Sequence, residues 1–211
     1  MPLRKSYGVA VPRLPFRVGL GRLLLAVTAA AAVAAALVAV LGQTGVPADG
    51  ETRSGSTRTR WGPLDPADRT LLTKVRQAGL WEMPAGQQAQ QRASRPRVRE
   101  VADMIMEQHM RLDEDVRATA QRLGVILPTE PNADQRGWLK ELSGKVGDDY
   151  DRTFVLRLRA AHGKVFGVIA QVRASTRNTE IRAFSERAMR FVNTHMTLLE
   201  STGLVTRSAL S

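Results

Sequence analysis

VREVADMIMEQHMRLDEDVRATAQRLGVIL, residues 98–127, is the stretch that decides the fold predicted from this sequence. Its apolar residues recur every three or four positions, so they share one face of a helix and leave charged residues on the other. This apolar face consists of Val98, Ala102, Ile105, Leu112, Val116 and Leu123. His109 falls on the same face, between Ile105 and Leu112. We therefore expect a helix that buries one histidine in an otherwise apolar stripe.

The composition excludes some kinds of chemistry and favours a helical protein. The chain has 211 residues and no cysteine, which excludes disulfides and thiolate chemistry. Aromatic residues make up 5%, while Ala, Leu, Arg, Glu and Gln abound, and this mixture favours helices. Much of the first third is not core material, which leaves one compact domain of about 140 to 150 residues.

The net charge of +11 comes from 31 basic and 20 acidic residues, and its distribution is uneven. Up to Arg60 there are eight basic and two acidic residues, so more than half of the excess precedes the predicted domain. A nucleic-acid-binding domain would concentrate basic residues in a dense patch, whereas here they are dispersed among acids. We expect no nucleic-acid partner. An alternative is that the dispersed arginines contact a surface polyanion or lipid headgroups.

Residues 23–41, LLLAVTAAAAVAAALVAVL, form an apolar run without charge. As a helix, these 19 residues would rise about 28 Å, close to the hydrocarbon thickness of a bilayer. The basic residues before the run predict that residues 1–22 are a cytoplasmic tail and that everything after the run lies outside. We therefore expect a single-pass transmembrane helix, acting as a signal anchor in a cell membrane. The alternative is a signal peptide cleaved near Ala48, which would release a secreted domain.

The rest of the chain divides into a linker, a domain and a tail. Residues 42–62 are rich in Gly, Thr, Ser and Arg without periodicity, which predicts a flexible linker. The folded domain is predicted at 63–204, and residues 205–211 are a tail. No tandem repeat or Gly-rich phosphate loop occurs in any of the three.

Four long helices and one short helix are predicted within the domain. Asp65 can cap the first helix, with Pro66 in its first position. Ser94 is the expected cap of the second helix and Asn178 that of the last, and the short helix at 133–142 lies between the second and third. The long helices carry apolar stripes with the spacing that the seam of an antiparallel bundle requires. The predicted fold class is all-α, an up-and-down four-helix bundle with an N-terminal transmembrane helix.

Several short motifs, in this order, resemble those of one bacterial family. They are GLWE at 79–82, MEQH at 106–109, GVILP at 124–128, LSG at 142–144, YDR at 150–152, AH at 161–162, IRAF at 181–184 and THM at 194–196. Over most of the predicted domain the chain is similar to a ferritin-like domain of unknown function that is often labelled an outer-membrane protein. The resemblance implies an exported four-helix bundle without an established role. We do not carry over the outer-membrane label, because an anchor that spans as a helix is typical of a plasma membrane.

The chain departs from that family at two positions. The family usually has Asp directly before the histidines of the second and third long helices, where this chain has Gln108 and Ala161. Any orientation of the imidazoles by those acids is therefore missing here.

The candidate site consists of the polar residues that interrupt the four apolar stripes. They are Glu82, His109, His162 and His195, and they include all three histidines of the chain. Their positions within the helices allow them to share one layer of an antiparallel bundle. Imidazole and carboxylate ligands suit a single transition metal ion: zinc, copper, iron or manganese. The alternative, which the sequence favours, is a buried polar network that fixes the register of the helices.

The same spacing argues against a di-iron centre. That centre needs a Glu-x-x-His pair on each of two helices, whereas Glu107 and His109 lie about 200° apart around their helix. No catalytic group can be argued from the sequence. We therefore expect a membrane-tethered domain with a binding or structural role in the cell envelope. The sequence specifies neither its partner nor its oligomeric state.

Overall fold

A computed structural model describes residues 55–206, which form an all-α domain with five helices and one small hairpin. The helices are α1 (Pro66–Arg92), α2 (Pro96–Leu123), α3 (Ala133–Ser143), α4 (Gly147–Ser175) and α5 (Thr179–Glu200). All five predicted helices are present, and the short helix has the predicted start at Ala133. Within residues 55–206, no helix combines the length and the apolar character needed to cross a membrane. The predicted transmembrane helix at 23–41 lies outside the described residues.

The four long helices pack side by side through the faces that the sequence marks as apolar. α1 lies against α2 and α4, α5 lies against α2 and α4, and the short α3 packs on α1 and α4. Apolar side chains at three- and four-residue spacing explain this packing, because burying each large aliphatic side chain stabilises the fold by roughly 1.5–3 kcal/mol.

The buried apolar residues form two separate clusters. One, which we call the Trp81 cluster, includes Trp81, Ala85, Ile105, Tyr150, Phe154, Leu158 and Leu199. The other, the Leu71 cluster, includes Leu71, Val75, Leu112, Val116, Ile169, Phe184 and Val192. Every long helix contributes to both clusters. His109, His162 and His195 fall between the two contributions of their helices, and Glu82 lies directly after Trp81, at the edge of the Trp81 cluster. The polar layer therefore divides the core of the domain.

The stripe of α5 differs from its prediction in its second half. The seam spacing of three and four residues, counted from Ile181, predicts that Phe191 and Leu198 point inward, but both are only partly buried. Val192 is 4% exposed and Leu199 is fully buried instead. The buried positions from Ile181 to Leu199 follow about 3.6 residues per turn, the period of a straight helix, rather than the 3.5 of a supercoil.

Part of the predicted linker is folded. Two strands, β1 (Thr57–Thr59) and β2 (Gly62–Leu64), pair antiparallel. β1 and the first residue of β2 lie in the segment 42–62 that we assigned to a flexible linker. The turn docks on the start of α5, where the N–H of Thr179 donates to the carbonyl of Trp61 over 2.9 Å. Leu64 is fully buried in the Leu71 cluster. These contacts join residues more than a hundred positions apart, so no local pattern announces them.

The helix starts agree with the sequence at two of three positions. Pro66 begins α1, and the Asn178 side chain accepts the N–H groups of Glu180 and Ile181 at the start of α5, as predicted. Ser94 does not cap α2. The N-cap is Arg95, and its N–H donates over 3.0 Å to the carboxylate of a residue on α4, Asp151.

Candidate metal centre

The structure brings the four predicted site residues together in the core. Each long helix contributes one of them: Glu82 from α1, His109 from α2, His162 from α4 and His195 from α5. All four are at most 3% exposed. One ring nitrogen from each histidine lies within 4.8 Å of the others, a spacing that a single metal ion can span. Convergence on one layer, which the sequence only allowed, is thus observed.

The carboxylate of Glu82 contacts two of the imidazoles. Its Oε2 atom lies 3.0 Å from Nε2 of His109 and 3.4 Å from Nε2 of His162. A close approach of the backbones keeps α1 near α2 here. A Cβ atom at Gly86, one turn beyond Glu82, would lie only 3.1 Å from the carbonyl oxygen of Ala102 on α2. Because Gly86 has no side chain, α1 can approach α2 closely enough for the Glu82 carboxylate to contact His109.

The hydrogen bonds fix the tautomer of His162. Its Nδ1 lies 2.8 Å from the carbonyl oxygen of Leu158, which can only accept, so Nδ1 carries the proton. In the neutral ring Nε2 is then an acceptor, and it lies 2.9 Å from Nδ1 of His195, which donates to it. This pattern, with one ring N–H held by a backbone carbonyl and the other nitrogen facing inward, is that of histidines that bind metals.

The protein alone leaves this arrangement without enough protons. With Nδ1 of His195 donating to His162, the Nε2 atom of His195 is an acceptor, and it is buried without a hydrogen-bond partner. The carboxylate oxygen of Glu82 also faces the lone pair of His162 with no hydrogen between them. Buried polar atoms of this kind cost about 1–3 kcal/mol each when unsatisfied. A bound cation would supply the positive charge that both contacts lack.

Burial sets the charge of these groups. It lowers the pKa of His162, although the carboxylate of Glu82 opposes that effect. It also lowers the pKa of His195, to which His109 and His162 add in the same direction. Burial raises the pKa of Glu82, but the imidazoles of His162 and His109 outweigh burial, so that the pKa is lowered. The lowered pKa keeps Glu82 ionised, whereas burial disfavours the positive charge of His162 that would balance it. A cation bound beside Glu82 would supply that balancing charge.

The spacings of the polar atoms resemble those around a metal ion. Two ligands bound 2.0–2.1 Å from a tetrahedral ion lie roughly 3.3–3.4 Å apart. The three contacts within the cluster measure 3.0, 3.4 and 2.9 Å. An ion would replace the hydrogen bond between His162 and His195, and the histidine nitrogens, which lie within 4.8 Å of one another, would move closer together around it. The donor set of nitrogen and carboxylate oxygen suits zinc, cobalt, iron or copper better than magnesium or calcium.

Three neighbouring residues of α2 that could bind a metal do not belong to the buried set of donor atoms. Glu107 points away from the cluster: its side chain is 60% exposed and pairs with Arg111, as expected for a chain without the di-iron pattern. Met104, which precedes the buried Ile105, and Met110, which follows the buried His109, are 37% and 49% exposed. Their thioethers do not join the buried donor set.

Sequence reasoning missed the surroundings of the cluster. A cavity of about 220 Å³ between α1, α3 and α4 includes Glu82 in its wall, together with Lys74 and Lys164. The positions of the two lysines, eight residues before Glu82 and two after His162, follow no recognisable motif. The partner of His162, the carbonyl of Leu158, is likewise a backbone atom that no sequence pattern singles out.

Several arginines of the domain pair with carboxylates on neighbouring helices. Such pairs include Arg122–Glu180, Arg157–Glu141, Arg159–Glu200, Arg173–Glu186 and Arg187–Asp115. Each exposed pair adds little stability. These pairs place acids among the basic residues of the domain, as the sequence predicts.

Comparison with known proteins gives one match. A family model described as a domain of unknown function (DUF4142) matches residues 55–201. No curated protein and no solved structure matches the chain. The motifs on which the resemblance rests, from 79–82 to 194–196, all lie within the matched range. A helical domain of unknown function is thus confirmed, while the ferritin-like relationship and the outer-membrane label are not.

Proposed function

This chain belongs to the family of the domain of unknown function DUF4142, and we propose that its helical domain binds a single transition metal ion. The ligands are His109, His162, His195 and Glu82. The observation that carries the proposal is the convergence of three buried imidazoles and a carboxylate that together have too few protons to pair their lone pairs. A polar layer that only joined the helices would be expected to satisfy all of its own atoms.

The proposal is tested by metal analysis of protein purified without an affinity tag. The protein is stripped with a chelator and titrated with zinc, cobalt, copper, iron(II) or manganese in a calorimeter. We expect one ion per chain, with the strongest binding by zinc, cobalt or copper because imidazole nitrogens dominate the donor set. Sub-stoichiometric binding by every ion, without any rise in thermal stability, would overturn the metal site.

A pair of matched variants separates the site from general charge effects. Glu82→Gln removes the buried carboxylate and is expected to weaken metal binding at least tenfold, as loss of a ligand or of its supporting charge usually does. Glu107→Gln removes an acid from the exposed side of the same layer and should leave metal binding unchanged. Equal binding by the two variants would exclude Glu82 as a ligand.

We further propose that the domain is held outside a cell membrane by residues 23–41. The apolar run and the basic residues before it support this location. The full chain should then remain with membranes after alkaline carbonate washing, and added protease should reach its C-terminal domain from outside the cell. Recovery of the domain free in the medium would instead support cleavage near Ala48.

We also infer that the four long helices form a bundle of the ferritin-like type, in which the connection that contains α3 crosses from one end to the other. Along the chain, α1 and α5 pass from the Leu71 cluster to the Trp81 cluster, whereas α2 and α4 pass from the Trp81 cluster to the Leu71 cluster. The helices α2 and α4 are therefore parallel, so the predicted up-and-down order is wrong, and a single crossover of this kind is typical of ferritin-like folds. The related proposal of a structural role in the cell envelope rests on the same polar layer, which ties all four helices together with or without an ion. It predicts that the Glu82→Gln variant loses stability in metal-free buffer as well.

Binding of a surface polyanion or of lipid headgroups is the remaining candidate. The ion pairs between arginines and acids on neighbouring helices speak against it, because they neutralise part of the positive charge of the domain. Binding of the domain to anionic vesicles that falls steeply with salt would revive it.

A further inference from the structure

The cavity between α1, α3 and α4 leads to the proposed metal ligands. Glu82 belongs both to the wall of this cavity and to the Glu/His cluster. Ala161 and Val165, which precede and follow His162 on α4, line the cavity as well. Its rim includes the exposed residue Lys74, so the cavity joins solvent to the carboxylate side of the cluster.

The size and walls of the cavity suit a small ligand with an apolar part. Its volume of about 220 Å³ is below the range of roughly 300–1,000 Å³ that is usual for drug-sized ligands. Trp81 and Trp138 meet edge to face in the wall, with their ring centroids 5.1 Å apart. Ala78 and Val168 extend this apolar side. A planar or aliphatic group of a few carbon atoms fits such a surface.

The polar side of the cavity offers mainly hydrogen-bond donors. Lys74 on α1 and Lys164 on α4 contribute ammonium groups. Asn132 and Gln135, at the start of α3, use their carboxamide oxygens to accept each other's backbone N–H groups. Their remaining groups for a ligand are chiefly N–H donors, which together with the lysines favour an acceptor that carries negative charge.

The charge of the proposed centre points to the same class of ligand. A divalent ion held by neutral imidazoles and one carboxylate retains a net positive charge, which is strongly felt in a site screened from water. Among the residues that line the cavity, Asp134 is the one acid not assigned to the ion, against the two lysines, and all three of these residues are exposed. An anion is thus favoured over a cation or a neutral ligand.

We propose that this cavity binds a small carboxylate, which coordinates the metal ion from the Glu82 side. The carboxylate oxygen would contact the ion and the lysine ammonium groups, while the carbon skeleton would lie against Trp81 and Trp138. This inference rests on the proposed metal site. It adds an external ligand and a route by which that ligand reaches the ion.

The test uses the full chain loaded with cobalt(II), whose visible absorption reports changes in coordination. Cobalt binding is measured first, by calorimetry. Benzoate, a planar carboxylate of suitable size, is then titrated while the visible spectrum is recorded. We expect the cobalt bands to shift and to saturate at one benzoate per ion.

Two variants locate the benzoate, and a third is the control. Ala78→Phe fills the cavity and should abolish the spectral response to benzoate while cobalt still binds. Lys74→Gln combined with Lys164→Gln keeps the cavity open and should weaken benzoate about tenfold, because two partly screened charges are lost. Lys140→Gln removes an exposed lysine of α3 that does not line the cavity, and should bind benzoate like the original protein.

The outcomes separate the two proposals. A chain that binds no cobalt overturns the metal site and the carboxylate site together. A chain that binds cobalt but shows no response to benzoate overturns only the carboxylate site. An unchanged response in the Ala78→Phe variant also overturns it. If Ala78→Phe loses cobalt as well, the double lysine variant decides, and its equality with Lys140→Gln would refute the inference.

Discussion

At the scale of single residues, the main feature of this protein is an excess of buried lone pairs. His162 donates through Nδ1 to the backbone, which leaves Nε2 facing Glu82 and His195. The tautomer of His195 follows from that of His162, and its own Nε2 atom is left without a partner. The polar layer therefore has more acceptors than donors, whereas a complete hydrogen-bond network would pair its donors and acceptors.

The protonation of these histidines predicts how metal-free protein responds to acid. The pKa values of His162 and His195 are lowered in the folded state, so below about pH 6.5 the unfolded chain binds more protons than the folded one. Stability is then lost as the pH falls, by up to about 1.4 kcal/mol per pH unit for each histidine. The melting temperature in the presence of a chelator, measured from pH 7.5 to pH 5, should fall accordingly.

A substitution tests whether the buried histidines cause that loss. His195→Leu removes one titrating group without leaving a large void and should make the melting temperature less dependent on pH between 7.5 and 5. A pH profile that stays as steep as that of the original protein would show that other groups, such as surface carboxylates, dominate the acid response.

At the scale of the elements, contacts between distant residues decide how the helices begin and how the hairpin docks. Asp151 on α4 is fully buried and accepts from the N–H of Arg95 and the hydroxyl of Ser94 at the start of α2. The hairpin needs Gly62, whose φ of +104° is costly for other residues. Asp151 thus fixes the start of α2, and the hairpin fixes the start of α5. Both helices carry residues of the polar layer in their middle parts.

Asp151→Ala should destabilise the domain by about 1–3 kcal/mol, because the start of α2 would lose its acceptor in a buried place. Chemical denaturation followed by circular dichroism measures this change. Asp149→Ala removes an exposed acid from the same first turn of α4 and is the matched control, with an expected loss of at most about 0.5 kcal/mol. Equal losses of stability in the two variants would mean that negative charge near the start of α4, and not the contact of Asp151 with the start of α2, stabilises the domain.

Gly62→Ala should lower the free energy of unfolding, whereas alanine at a glycine with open space around it should not. Its Cβ atom would lie 2.6 Å from the backbone oxygen of Arg177, and the residue would keep a positive φ. We expect a loss of at least 1 kcal/mol, roughly the cost of a left-handed conformation alone. Gly137→Ala, in α3 with open space around its Cβ position, should instead stabilise by up to about 1 kcal/mol. Denaturant midpoints compare the two, and a harmless Gly62→Ala would show that the hairpin shifts freely.

At the scale of the whole molecule, one ion would link all four long helices. The polar layer separates the Trp81 cluster from the Leu71 cluster, so an ion bound there would act on both halves of the core. This position explains why metal binding should appear as global stability rather than as a local change.

Free metal at 100 times its dissociation constant should stabilise the domain by about 2.7 kcal/mol. For a domain of this size that corresponds to a rise in melting temperature of very roughly 5–10 °C. Calorimetric scans with and without a chelator measure the rise. Amide exchange should slow in the middle of all four long helices. Slowing in a single helix, or no rise at all, would speak against an ion shared by the four helices.

The sequence by itself determined which segments are helical and which faces are buried, because both follow from a local period of about 3.6 residues. That period also placed Glu82, His109, His162 and His195 on inward stripes. Only the tertiary structure decided that these side chains touch, which nitrogen of His162 carries the proton, and that a cavity with two lysines opens beside Glu82. It also decided that Asp151 caps α2 and that residues 57–64 form a hairpin. These features depend on contacts between residues far apart in the chain, whose distances no local period encodes.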